Sequence, residues 1–148
     1  MECYIRPFNT LGNYFSADII AIYKGKWVFC MHKERSTWEH PSGWIEAGET
    51  PLAAAKRELF EETGAVEFDI DPLCDYYIDA ELNGYQYKGN GQVYFAIIYA
   101  LGELPNYSEM GKVGFFDSLP DNLTYPIIHD FFPIALEKRT GGDAIIRG

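Results

Sequence analysis

At 148 residues the chain has the length of one domain, and 47% hydrophobic with 16% aromatic residues excludes a disordered polymer. A formal net charge of −10 excludes broad attraction to nucleic acid or an anionic membrane, so no nucleic-acid polymer is expected as partner. Work on phosphates would need a cation to bring two anions together.

Two extended segments, Ala17–Tyr23 and Lys26–Lys33, flank Lys24-Gly25 and read as an antiparallel hairpin. A polar loop, ERSTWEHPSGW, follows, broken by Pro41 and Gly43. The clearest helix comes next. Thr50 suits the N-cap, Pro51 the first helical position and Gly64 the left-handed C′ position. Leu52, Ala55 and Leu59 fall within about 60° of one another, an apolar stripe expected to pack on a sheet. Ala65–Leu82 looks extended, with a turn at Asn83-Gly84, and GQVYFAIIYALG is a strand buried on both faces. Lys112–Phe116 is a short strand, and a turn-rich connector leads to a closing helix interrupted or bent near Pro133. Thr140–Gly148 reads as a loosely held tail. The pattern predicts an α+β fold in a single domain, 1–148.

Cys3, Cys30 and Cys74 are widely spaced with no CxxC pair and read as reduced thiols. No basic-then-apolar leader begins the sequence. The longest apolar run, Val93 to Leu101, is far short of the ~18 residues of a membrane span. A soluble cytoplasmic protein with no membrane partner is the expectation.

One stretch is physically odd. In RELFEETG, Arg57 to Gly64, the carboxylates Glu58, Glu61 and Glu62 fall within an arc of about 100° on a helix. Like charges three and four apart repel by ~0.2–0.5 kcal/mol per pair. Taken alone, the strip reads as a solvated acidic face paired with Lys56 and Arg57. It also suits hard cations such as magnesium or manganese.

The wider spacing decides between the two. From Gly43 the chain runs G, five residues, Glu49, seven residues, then Arg57-Glu58-Leu59-x-Glu61-Glu62-x-Gly64. This resembles the Nudix box, G-x5-E-x7-R-E-U-x-E-E-x-G-U with U bulky and apolar. Ala65 departs from the last position, and Pro41-Ser42 differs mildly from the common Pro-Gly. The resemblance implies a Nudix-type α/β/α sandwich with a mixed central sheet. It also implies hydrolysis of a nucleoside diphosphate linked to another group, with magnesium or manganese as cofactor. Glu58, Glu61 and Glu62 then look like metal carboxylates, one of which could instead be the base. The Gly43 carbonyl looks like a backbone ligand, glycine there permitting close approach to the metal. Arg57 and Glu49 look like the pair that orients the carboxylates, and Glu109 stands where many members keep an extra acidic ligand.

Recognition of substrate is less legible. Lys33, Arg35, Trp44 and Tyr87 are the substrate-binding candidates, with Trp27, Trp38, Tyr85 and Phe95 as further stacking aromatics, most of them expected in the core. Many relatives that clear oxidised purine triphosphates carry an asparagine where Thr124-Tyr125-Pro126 stands here, with Asn122 nearby. His32, His40 and His129 show no ligand spacing and read as structural or exposed.

The leading expectation is a nucleoside triphosphate cleaved to monophosphate and pyrophosphate. A nucleotide sugar or dinucleoside polyphosphate is the alternative substrate, and a non-catalytic nucleotide-sensing module the alternative class. An isoprenoid diphosphate isomerase ranks last, because neither Cys30 nor Cys74 has an isomerase context. A homodimer is left open.

Overall fold

The computed structural model of the chain describes residues 2–140 throughout and 141–147 only as backbone of the closing helix. Seven strands, β1 (Glu2–Arg6), β2 (Tyr14–Tyr23), β3 (Lys26–His32), β4 (Ser42–Trp44), β5 (Ala65–Leu82), β6 (Tyr85–Leu101) and β7 (Met110–Phe116), form one mixed sheet with helices α1 (Pro51–Thr63) and α2 (Ile128–Arg147). The order is β1-β5-β6-β2-β3-β7, with β4 also paired to β2. Only β2 and β6 run parallel; the other pairs are antiparallel.

Both predicted turns close as two-residue hairpins with positive φ at each central position, Lys24-Gly25 and Asn83-Gly84. β2 begins three residues earlier than expected, β6 begins at Tyr85 rather than Gly91, and β1 and β4 were not anticipated. β1 and β4 are too short and too polar to carry a period of their own; pairing to β5 and β2 makes them strands. The closing helix runs on through Pro133. The expected loose tail from Thr140 to Gly148 lies, beyond its first residue, outside the described side chains.

The sheet divides two cores. One face holds Ile20, Trp27, Phe29, Val93 and Phe95 against Ile128, Phe131 and Ala135 of α2. The other holds Ala17, Ile19, Val28 and Ala96 against Ala54, Ala55 and Leu59 of α1. These are the layers of an α+β sandwich, as expected. Among the described residues no helix is long and apolar enough to cross a membrane.

Two sequence expectations for α1 fare differently. Its caps are as read: Thr50 Oγ1 accepts from Ala53 N at 3.1 Å, and Gly64 at φ 81° returns its N–H to Phe60 O. Its buried face is as read at Ala55 and Leu59 but not at Leu52. Leu52 is 39% exposed, whereas Ala54, Ala55, Leu59 and Thr63 are buried. At 100° per residue the mean direction of those four residues lies about 40° from Leu52 on one side and about 40° from Glu62 on the other. The helix therefore seats on the sheet through small side chains, and it carries an acid into the contact.

The segment before β2 is organised by one buried carboxylate. Asp75 accepts from the backbone N–H groups of Asn9, Thr10 and Leu11 at 2.9–3.1 Å, from the Tyr14 hydroxyl at 2.5 Å and from Gln92 Nε2 at 3.0 Å. Burial pushes its pKa up, but these donors outweigh burial and hold it below the usual carboxylate range. A carboxyl depressed in this way contributes stability above its unfolded pKa and loses it as pH falls. Asp75→Asn should cost roughly 2–3 kcal/mol at pH 7, since an amide cannot accept from five donors. Urea unfolding should show the gap from the parent narrowing as pH is lowered towards 3.

Candidate active site

β2 changes neighbours along its length, and that change opens the sheet. Ala21–Tyr23 pair with β3, while Ser16–Asp18 pair with β4. The chain between β3 and β4 is laced back by a bridge from Cys30 to Glu39 and a bond from Ile19 N to Pro41 O. A cavity of about 410 Å³ forms there. One end is lined by Arg57, Glu58, Glu61, Glu62 and Glu109, the other by Tyr76, Ile78, Leu82, Tyr87, Tyr125 and Ile127.

Arg57 knits the acidic end together. Its Nε and Nη2 donate to both oxygens of Glu49 at 2.7 and 2.9 Å, a bidentate pair. Nη1 donates to Glu58 at 2.7 Å and Glu61 at 2.9 Å, and Nη2 also reaches the Trp44 carbonyl at 3.1 Å. The guanidinium holds Glu49 down at a pKa of about 2.

Glu58 and Glu62 are under the opposite pressure. Burial raises Glu58 to about 7, with Arg57 pulling against it. Burial and then the charge of Glu58 push Glu62 well above the carboxylate range, despite a 2.8 Å bond from Ser42 N. Gly43 explains itself here. A Cβ at Gly43 would lie 2.2 Å from Glu58 Cδ, so the missing side chain makes room for this carboxylate, a contact the sequence did not reveal.

The remaining candidates separate. Arg35 lines the cavity and bonds Glu39 at 3.0 Å, whereas Lys33 lies outside the lining. Glu109 faces His32 Nε2 at 3.3 Å, so His32 belongs to the cavity wall. Trp44 and Tyr87 stand at the mouth with parallel rings, 6.2 Å between centroids and 10° between planes, flanked by Tyr85 and Phe15. Trp27 and Phe95 are core residues and Trp38 packs on Phe116, so these three do not reach the site. Asn122 donates to Ser36 O instead of entering the cavity, where Tyr125 stands.

Sequence reasoning missed Glu39, Asp18, His40 and Tyr76. Glu39 is 5% exposed with Arg35 as its ion-pair partner. His40 Nε2 meets Asp18 Oδ1 at 2.9 Å, and Tyr76 donates to Asp18 Oδ2 at 2.6 Å. The hint was position alone: Glu39 and His40 stand immediately before Pro41. Ser108, which donates to the Glu61 carbonyl at 2.7 Å and ties the loop before β7 to α1, was likewise invisible.

A sandwich with an opening beside β2, a half-buried acidic helix face and an aromatic mouth has the chemistry that phosphoanhydride hydrolysis needs. The chain matches the NUDIX domain over residues 15–116. It is 31% identical over 126 residues to Bacillus subtilis YtkD, which bears the name of an 8-oxo-dGTP diphosphatase, spanning 81% of this chain and 77% of that protein. It is 43% identical over 68 residues to an RNA pyrophosphohydrolase of Bartonella bacilliformis, a match to 40% of this chain and 39% of that protein. Its fold superimposes on a pyrophosphohydrolase of Bacillus subtilis with a TM-score of 0.78 at 24% identity, covering 95% of this chain and 90% of the other. The NUDIX domain of Shewanella oneidensis NrtR, solved with ADP ribose, gives 0.65 at 16%, covering 87% and 88%. The chain belongs to the Nudix family and is a pyrophosphohydrolase acting on phosphoanhydride bonds.

Raised carboxyl pKa values make the metal-free fold pH-sensitive. Burial raises the pKa values of Glu58 and Glu62 in the fold, so the stability these two groups contribute is fully present below the unfolded carboxylate pKa and is lost as pH rises through about 7. Melting in EDTA from pH 5 to 8 should show that decline. Glu62→Gln should flatten it and melt above the parent at pH 8.

Proposed function

We propose that the protein hydrolyses a nucleoside triphosphate to the monophosphate and pyrophosphate, with magnesium or manganese as cofactor. The observation that carries this reading is the convergence of Glu58, Glu61 and Glu62 on one cavity wall, where burial raises the pKa values of Glu58 and Glu62 and a divalent cation would offset their charge. Among the described residues no three His, Cys, Asp or Glu side chains stand close enough to hold an ion as they are, and Arg57 Nη1 occupies one oxygen each of Glu58 and Glu61. The donor set still fits a hard cation, being oxygen throughout. Glu58, Glu61, Glu62 and the Gly43 carbonyl would hold it, with Glu109 reaching in from the other wall. When bound, the ion supplies neutralisation of the diphosphate and polarises a phosphorus–oxygen bond.

The chain's own groups do the rest. Arg57 and Glu49 orient the carboxylates, as partners of metal ligands do elsewhere. One carboxylate takes a proton from water as its oxygen bonds to phosphorus and the anhydride oxygen leaves with pyrophosphate. Arg35, rather than Lys33, meets phosphate oxygens, because Arg35 lines the cavity. Trp44 and Tyr87 hold the base by stacking, with the apolar wall of Ile78, Leu82 and Ile127 behind it. In this reading the chain acts as one domain in the cytoplasm. The likeness to YtkD over most of the chain favours the triphosphate class. A 5′-triphosphorylated RNA end is the second reading, favoured by the partial matches to named RNA pyrophosphohydrolases.

A panel of triphosphates, nucleotide sugars, dinucleoside polyphosphates and a 5′-triphosphorylated oligonucleotide, assayed for pyrophosphate and phosphate, discriminates among substrates. Turnover should vanish in EDTA and return with magnesium or manganese; persistence after rigorous chelation would overturn the metal reading. Glu62→Gln should lower kcat by roughly 100-fold. Its metal-free melting temperature should not fall, which separates loss of chemistry from loss of fold. Gly43→Ala, by displacing Glu58, should weaken manganese binding roughly 10-fold or more by calorimetry.

A further inference from the structure

His40, a residue of the cavity lining, carries one unfilled hydrogen-bonding valence at its buried Nδ1. Asp18 accepts from Tyr76 and from the Ser16 hydroxyl at 3.4 Å on Oδ2, and meets His40 Nε2 on Oδ1. A carboxylate that accepts on both oxygens fixes Nε2 as the donor, so His40 Nδ1 presents a lone pair in the neutral ring. His40 is 2% exposed and lines the cavity, and its Nδ1 has no hydrogen-bond partner among the described residues. An orphaned buried acceptor carries a desolvation cost that a ligand donor would remove. The ring is also continuous with the stacking surface. Tyr125 lies 6.4 Å from His40 and 6.2 Å from Tyr87, which stacks beside Trp44.

We propose that His40 Nδ1 is a specificity-determining acceptor that reads an N–H donor on the edge of the substrate's nucleobase. Asp18 and Tyr76 are its positioning residues, holding the ring in the tautomer that leaves Nδ1 bare. The inference rests on the nucleotide reading above and narrows it. Adenine and guanine offer an exocyclic amine, and guanine a ring N–H as well; unsubstituted purine offers neither. A site built around a buried acceptor discriminates strongly against the analogue that lacks the donor.

Two measurements test it. With magnesium, the parent should show a KM for purine riboside triphosphate at least ~10-fold above that for the better of ATP and GTP. In His40→Phe, which keeps an aromatic ring at this position, that ratio should fall to within about twofold. Because the substitution also removes a partner of Asp18, the second measurement uses the unmodified protein. In the 15N-labelled parent, the His40 Nδ1 resonance should shift on adding AMP or GMP and not on adding purine riboside monophosphate. Equal KM values in the parent, a preference that survives in His40→Phe, or identical Nδ1 responses to donor-bearing and donor-free monophosphates would each overturn the assignment. If the parent hydrolyses none of the triphosphates, the proposed function fails, and the resonance still decides whether Nδ1 reads a base.

Discussion

Everything at the acidic end depends on one guanidinium. Arg57 is the only cation in reach of Glu49, Glu58 and Glu61 together among the described ion pairs, and it also caps the Trp44 carbonyl. A planar fork with five donors can serve two oxygens of one carboxylate and one each of two others. A lysine ammonium could not, since it offers three donors from a single point. Helix α1 can therefore present three carboxylates without being driven off the sheet, and β4 is tied to the helix that completes the site.

The geometry of the sheet makes that arrangement useful. Had β2 kept β3 as its neighbour along its whole length, the edge would be sealed and Glu62 would face a continuous wall. Because β4 takes over at Ser16–Asp18, the chain between Lys33 and Pro41 is displaced, and an opening forms beside the helix. Helix α1 on one side of the sheet and the core on the other side then meet the same cavity. One side contributes acids, the other aromatic and apolar walls, which suits a ligand with a charged end and a flat, weakly polar end. The buried Asp18–His40–Tyr76 network marks the boundary between them.

The charge balance is deliberate in its distribution rather than in its sum. Asp75 is held ionised by five donors outside the cavity lining, where it fixes the residues leading into β2. Glu58 and Glu62 are held where ionisation is opposed. Residues of the same chemistry thus stabilise one region and strain another. Burial with partners and burial without them have opposite consequences.

The sequence by itself determined α1 and its caps, the two hairpin turns, the long strands and the acidic motif, because each rests on local backbone chemistry or on spacing within a few helical turns. The family resemblance, not the spacing, pointed to Arg57 and Glu49 as partners of the acids, and the two do pair in the fold. The sequence did not determine the whole buried face of α1. Leu52 looked like core, yet it is 39% exposed while Ala54 and Thr63 are buried beside Ala55 and Leu59. Nor could it place Asp18, Glu39, His40, Tyr76 and Tyr125 in one cavity, because their proximity depends on strand pairing between segments up to about a hundred residues apart. Lys33 and Arg35 are near-identical as sequence signals, yet the bend after β3 sends one outward and pins the other to Glu39. Local propensity sets the elements; which side chains share a space is decided by register and by the point at which a strand changes neighbours.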